Sequence, residues 1–280
     1  MLLVIAAMII GFATSQATNA ASYEKKTADL PGVSLTYMDT GGDGIPVIFV
    51  HALTGTSDSW EPQLHAFAAA GYRAVAFDRR GWGGSVANGD SGAQPGTGAA
   101  DIDALANHLN LRKFHLVGVA GGGFVALDYA AWKSDRLLSV VVAASTGALE
   151  EKEIREFIKR IEIPNVPWPS IYLEVGPSYI GGNVDGLARW KQIEEHARQP
   201  HAPNQPLRTP NTFRKIAAIE APMLVLAASA DWLAPPALMK LWASKVKDME
   251  FDEICDAGHS VAWEKPDEFN SRVLQFLRKH

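Results

Sequence analysis

The sequence predicts an α/β fold: a mostly parallel, twisted sheet with helices on both faces and an inserted helical cap. Three observations predict it. Short apolar runs of strand length alternate with longer stretches that carry an apolar stripe at helical spacing. A glycine-rich bend, Gly118-Val-Ala-Gly-Gly122, joins one of the apolar runs directly to a helix. Between residues 147 and 212 the alternation stops, and it resumes from residue 213.

The first element lies outside this rhythm. Leu2 to Ala13 is almost unbroken apolar sequence, followed by the small and polar run from Thr14 to Ala20. The run is shorter than the ~20 apolar residues a membrane-spanning helix needs, and it matches the apolar part of a signal peptide. Ser15-Gln-Ala17 and Thr18-Asn-Ala20 have the small-x-small spacing of cleavage sites, although no Lys or Arg precedes the run. Residues 1–20 therefore read as an export leader, with an uncleaved tether as the alternative. The expectation is a periplasmic or secreted protein with no stable membrane insertion after leader removal.

Val33 to Tyr37, ahead of the Gly41-Gly42 turn, reads as an antiparallel lead-in strand. Pro46–Val50, Arg73–Phe77, Phe114–Val117, Leu138–Val142, Met223–Leu226 and Glu250–Ile254 follow as sheet strands. Most are continuous apolar runs, as strands covered on both faces must be. Ile102, Leu105, Ala106 and Leu109 stand at i, i+3, i+4 and i+7, one stripe facing the sheet. Phe124–Ala130 is the helix after the glycine-rich bend. Leu238, Leu241 and Trp242 mark another after Pro235-Pro236, and Phe269, Val273, Phe276 and Leu277 the last, opened by Pro266.

The domain organisation follows. Residues 21–146 and 213–280 form the two parts of the core, and 147–212 form the cap or lid. Prolines cluster in that insertion, at positions 164, 167, 169, 200, 203 and 206. A cap there would cover the carboxyl edge of the sheet, where open α/β sheets bind their ligands.

Composition removes several function classes. Net charge is −5, with no long basic run, so a nucleic-acid partner has no electrostatic footprint. The single cysteine, Cys255, forbids an internal disulfide and a thiolate metal cluster, and the eight histidines lack metal-ligand spacing. No metal and no cofactor is expected, and oligomeric state is not encoded legibly. Gly118 to Gly123 fails the dinucleotide-binding fingerprint, because position 120 is not glycine and the motif follows a late strand.

Five loops at strand carboxyl ends hold the candidate chemistry: His51-Ala-Leu-Thr-Gly55, Asp78-Arg-Arg-Gly-Trp-Gly-Gly-Ser85, the bend at 118–122, Ser229-Ala-Asp231, and Asp256-Ala-Gly-His259. On these residues the chain resembles the α/β-hydrolase family. That family carries Gly-x-Ser-x-Gly at a strand-to-helix elbow, with nucleophile, acid and histidine in that chain order. The resemblance implies Asp231 as the acid, His259 as the histidine, and backbone N–H groups of Leu53 and Gly121 as the oxyanion hole. His51-Ala52 departs mildly from the family's His-Gly. The larger departure is Ala120, which occupies the nucleophile position and cannot attack a carbonyl.

Three readings of Ala120 stay open. Serine has been replaced to make a trap variant. Or the natural protein lacks the nucleophile and His259 acts as a base on water or on an acidic substrate proton. Or the protein binds a small ligand without turnover. The implied function is hydrolysis of a small carbonyl substrate, an ester, lactone or activated C–C bond. The alternatives are a non-catalytic small-ligand-binding pseudoenzyme and a cofactor-free lyase or oxygenase using His259 as base.

Among other residues, Thr54, Ser57, Ser145 and Thr146 carry hydroxyls near the crevice but read as loop hydroxyls bonding backbone. Cys255 reads as a small core residue. His115 reads as a hydrogen-bonded core histidine. His196, His201 and Glu194-Glu195 read as solvated cap positions. Trp168, Tyr172, Tyr179 and Trp190 divide between packing the cap and facing the ligand.

Overall fold

The computed structural model describes residues 22–161 and 168–280. The leader, 1–20, and residues 162–167 of the cap interval lie outside the described residues. The strands are β1 (Lys25–Leu30), β2 (Val33–Asp39), β3 (Pro46–Val50), β4 (Arg73–Phe77), β5 (Val86–Ala87), β6 (Phe114–Val119), β7 (Leu137–Ala143), β8 (Met223–Ala228) and β9 (Met249–Ile254). They form one sheet in the order β1-β2-β4-β3-β6-β7-β8-β9, with β5 pairing β2 to the side. β2 pairs antiparallel with β1, β4 and β5, and every pair from β4–β3 to β8–β9 is parallel.

The helices are α1 (Glu61–Ala69), α2 (Gly98–His108), α3 (Gly121–Trp132), α4 (Lys152–Ile161), α5 (Ile171–Glu174), α6 (Pro177–Gly182), α7 (Val184–Ala197), α8 (Phe213–Ile216), α9 (Pro236–Ala243), α10 (Val261–Glu264) and α11 (Pro266–Leu277). Side chains alternate along a strand, so each central strand feeds two cores. Ile48, Val50, Leu116, Val140 and Val225 pack with α2, α3 and α9 on one face. Val47, Phe49, Val117, Val141 and Leu224 pack with α1, α10 and α11 on the other. That double burial explains why these strands read as unbroken apolar runs.

The sheet edges differ. In β1, Lys25-Lys-Thr-Ala-Asp-Leu30, only Ala28 and Leu30 are buried, so its mostly polar sequence carries little strand signal. At the far edge β9 buries only Ile254. Cys255, expected in the core, is exposed and stands in the turn just beyond that strand. The expectation fails because an edge strand has one flank without a neighbour, and the chain leaves the sheet at Ile254.

β3 connects forward to β4 on one side, yet its other neighbour is β6. The strand order reverses there, which opens a crevice at the carboxyl ends. Pairing of Val50 with Gly118 sets the loop after β3 beside the bend after β6.

Helices α4 to α7 lie in the interval between β7 and β8. Ile171, Val175 and Trp190 make a small apolar cluster that reaches Trp263 of the core. The far end of α7 is tied to the turn after β4: the Gly83 N–H donates to the Ala197 carbonyl at 2.8 Å, and Gln199 Nε2 donates to the Gly83 and Ser85 carbonyls at 2.9 and 3.0 Å. Trp168 and Tyr172 are exposed and stack edge-to-face with each other. Glu194 is half-buried and accepts a hydrogen bond from Ser170 Oγ at 2.6 Å, so only Glu195 of that pair is a plainly solvated residue.

Candidate active site

At the end of β6 the chain must reverse into α3 within one residue. Ala120 does so with φ 49° and ψ −118°, a conformation that costs a residue with a Cβ about 1–3 kcal/mol. Close backbone approach explains the small neighbours. A Cβ on Gly118 would collide with the Gly122 carbonyl, and one on Gly122 with the Val50 carbonyl. The elbow is held from behind, since the Ala120 N–H donates to the Ala143 carbonyl at 3.0 Å and its own carbonyl accepts from Ser145 Oγ at 2.8 Å. Ala120 therefore carries its methyl group on a strained strand-to-helix turn.

His259 and Asp231 arrive from different strand ends and meet. Nδ1 of His259 lies 3.0 and 2.8 Å from the two Asp231 carboxylate oxygens. Asp231 is itself oriented by the N–H groups of Leu233 and Ala234, both 2.8 Å from Oδ1. A carboxylate only accepts, so Nδ1 carries the proton toward Asp231, and Nε2 faces the other way. Both side chains are almost wholly buried. His259, Val119, Ala52, Thr54 and Trp190 line one cavity, which brings the histidine, the end of β6, the loop after β3 and α7 to a common space.

The oxyanion donors implied by the resemblance come from neighbouring loops. The Leu53 side chain lies over Gly121, where a Cβ would come 2.7 Å from Leu53 Cγ. Neither the Leu53 nor the Gly121 N–H meets an acceptor among the described residues. The Leu53 carbonyl accepts from Trp82 Nε1 at 2.7 Å, which fixes the loop. His51 fixes it from beneath. Its Nε2 accepts the Arg79 N–H at 2.9 Å, so its proton sits on Nδ1 and is donated to the Ala52 carbonyl at 2.6 Å. Complete burial, aided by the Arg79 charge, pushes the His51 pKa down to about 3, so this ring stays neutral.

Two functional-site carboxylates were not legible in the sequence. Glu174, at the end of α5, accepts from Thr54 Oγ1 at 3.3 Å, and its backbone carbonyl accepts the Ser260 N–H at 2.7 Å. Glu264, at the end of α10, accepts the N–H groups of Gly176 and Gly258 at 2.9 and 3.0 Å, clamping the cap to the histidine loop. Burial raises both carboxyl pKa values, and Asp231 adds to each. Around His259 the balance runs the other way. Burial alone pushes the imidazole down, but the charge and hydrogen bond of Asp231, joined by Glu174 and Glu264, raise its pKa to about 9. The acids around the ring favour its protonated form.

The other candidates fall into place by contact. Ser145 is buried behind the elbow, and Thr146 Oγ1 accepts the Ala148 N–H at 3.4 Å. Ser57 is buried and donates its N–H to Asp78 at 2.7 Å. Thr54 alone of the four lines the cavity. His115 is buried against Ser139 Oγ at 2.8 Å, and His196 and His201 are exposed. Trp190 turns toward the cavity and donates to Ser260 Oγ at 3.1 Å. Among the described residues no cluster of His, Cys, Asp or Glu could hold a metal ion, and no helix is long and apolar enough to cross a membrane.

A parallel sheet with this strand order, an elbow into α3, and an acid and histidine after later strands define the α/β-hydrolase class of fold. Residues 47–272 match the model of the alpha/beta hydrolase family, and the chain belongs to that family of enzymes. A relative in Variovorax paradoxus (strain S110), named "Putative carbamate hydrolase RutD", is 29% identical over 85% of this chain and 93% of its own. A crystal structure of the protein titled "Putative non-heme bromoperoxidase BpoC" from Mycobacterium tuberculosis H37Rv superposes with a TM-score of 0.67 at 26% identity, covering 88% of this chain and 96% of that one. The fold is also that of a thermophilic esterase from Thermogutta terrifontis, with a TM-score of 0.72 at 24% identity over 91% and 98% of the two chains.

Proposed function

We propose that this chain hydrolyses a small carbonyl compound, an ester, a lactone or an activated C–C bond, by direct attack of water. The observation that carries the reading is the Asp231–His259 pair, joined at 2.8 Å, with His259 lining a cavity that Val119, the residue before Ala120, also lines. In this scheme neutral His259 takes the proton from water through Nε2 while Asp231 holds the resulting imidazolium. The hydroxide equivalent attacks the carbonyl carbon, and the N–H groups of Leu53 and Gly121 receive the negative charge on oxygen. His259 then returns the proton to the leaving group. Ala120 forms no bond, so no acyl-enzyme accumulates. A general base contributes ~10²–10⁴-fold, and each oxyanion donor ~10²–10³-fold, which leaves activated substrates within reach and ordinary amides outside it.

The test is hydrolysis of an activated aryl ester followed above pH 9, where the base form of His259 predominates. Turnover by the chain that His259→Ala abolishes supports water attack. Turnover that appears only in Ala120→Ser refutes it and identifies a site lacking just its nucleophile. Ligand binding without turnover in either form supports the non-catalytic alternative. The leader reading places this chemistry in the periplasm or outside the cell, and N-terminal sequencing of the exported chain tests that separately.

A further inference from the structure

Beside the first residue of α3 lies a cation that no acid among the described residues pairs. Arg79, in the turn after β4, is only 7% exposed. Its Nε and Nη1 are buried with no hydrogen-bond partner, and no side-chain bond of Arg79 exists among the described residues. The nearby acid is already committed: both Asp101 oxygens take the neighbouring Arg80, at 3.2 and 2.6 Å. A second cation shares the ring that faces Arg79. Its guanidinium lies 4.6 Å from the centre of the Trp82 ring, and the Arg198 guanidinium lies 4.2 Å from the same ring. Arg198 also keeps one buried nitrogen, Nη1, without a partner. Cation–π contact offsets only part of the desolvation of a buried guanidinium.

The placement says what would complete it. Nη1 of Arg79 lies 3.4 Å from where a Cβ on Gly121 would stand. The cation therefore sits against the first residue of α3, a twelve-residue helix whose N–H groups and dipole also favour negative charge. Trp82 links the two parts, because it stacks on Arg79 and bonds the Leu53 carbonyl. Planar, fork-shaped donors match a carboxylate better than any neutral group.

We infer that Arg79 is a recognition residue for a carboxylate borne by the ligand, so that the substrates are small organic anions. This deepens the hydrolase reading and rests on it only for turnover; anion binding at Arg79 stands or falls by itself. The carboxylate lies at Arg79 while the scissile carbonyl reaches over Ala120 toward His259.

The experiment separates the two. Acetate, succinate and benzoate, each beside its neutral amide, are titrated into the protein with tryptophan fluorescence as readout, since Trp82 reports on the site. At least one carboxylate is expected to bind tenfold or more tightly than its amide, and Arg79→Met to erase that preference. Arg79→Lys keeps the charge but loses the fork, and should retain only part of it. Should Arg79→Met not fold, the wild-type comparison and Arg79→Lys still decide. If no carboxylate outbinds its amide in the folded wild type, or if the preference survives loss of the guanidinium, the inference is overturned. In a second arm, above pH 9, the activated aryl ester 4-carboxyphenyl acetate should be hydrolysed with a kcat/KM tenfold above 4-carbamoylphenyl acetate, carried mainly in KM. Anion preference in binding without turnover of either ester defeats the hydrolase reading and leaves this one intact.

Discussion

On one flank of the elbow, Asp231, Glu174 and Glu264 gather around a single imidazole and hold a proton on it up to about pH 9. Elsewhere along it, Arg79 and Arg198 share Trp82, and Arg79 has no carboxylate partner among the described residues. Both flanks are buried, yet they handle burial differently. The histidine flank neutralises its charge internally, by pairing a cation with acids. The arginine flank leaves its charge for something from outside. The difference teaches how the two proposals fit together: proton handling is assigned to His259, anion recognition to Arg79, and a substrate serving both would reach each.

The strongest way to break that comparison is to remove the acid that organises the first flank. Asp231→Asn should lower aryl-ester hydrolysis by about 10²–10⁴-fold, because the amide no longer fixes the histidine tautomer. An unchanged rate in steady-state assay would show that the histidine flank does not carry the chemistry. The next effect has the opposite sign. Ala120→Ser places a hydroxyl on an elbow already in the strained geometry, and should raise turnover about tenfold or more with a burst of released alcohol at pH above 9.

A smaller effect sharpens the electrostatic half. The rate should rise with pH through about 9, as His259 loses its proton. Glu174→Gln removes one of the charges that hold that proton, so the midpoint of the pH–rate profile should move to lower pH. The same group makes a statement about stability. His259 binds its proton more tightly when folded, at about 9, than at its ordinary 6.5. Its stabilisation is therefore complete below pH 6.5 and is lost as pH rises through about 9, about 3 kcal/mol in all. Urea midpoints measured from pH 6 to 10 should show the decline, and His259→Ala should flatten it. The smallest effect is at Cys255. Exposed in the turn after β9, it should react with a thiol reagent in the native protein, and Cys255→Ser should change stability by less than about 0.5 kcal/mol.

Much of the site was legible because its logic is local. Small residues around Ala120 announce a turn too tight for side chains, and the resemblance to the family, with its order of nucleophile, acid and histidine, implies Asp231 and His259. Glu174 and Glu264 were invisible for the opposite reason. Each lies in a helix of four residues whose only distinction is what it touches across the fold: Thr54 for one, Gly176 and Gly258 for the other. Arg79 reads in sequence as part of a familiar turn; nothing there says that its neighbour Arg80 takes the available carboxylate and leaves it bare.

The sequence by itself determined the sheet, the elbow, and the absence of an attacking atom on it, since periodicity, glycine spacing and residue identity are written along the chain. Tertiary structure alone decided the charge state of the site. A pKa or an unpaired guanidinium depends on groups distant in sequence and close in space, and on how much water the fold removes from between them.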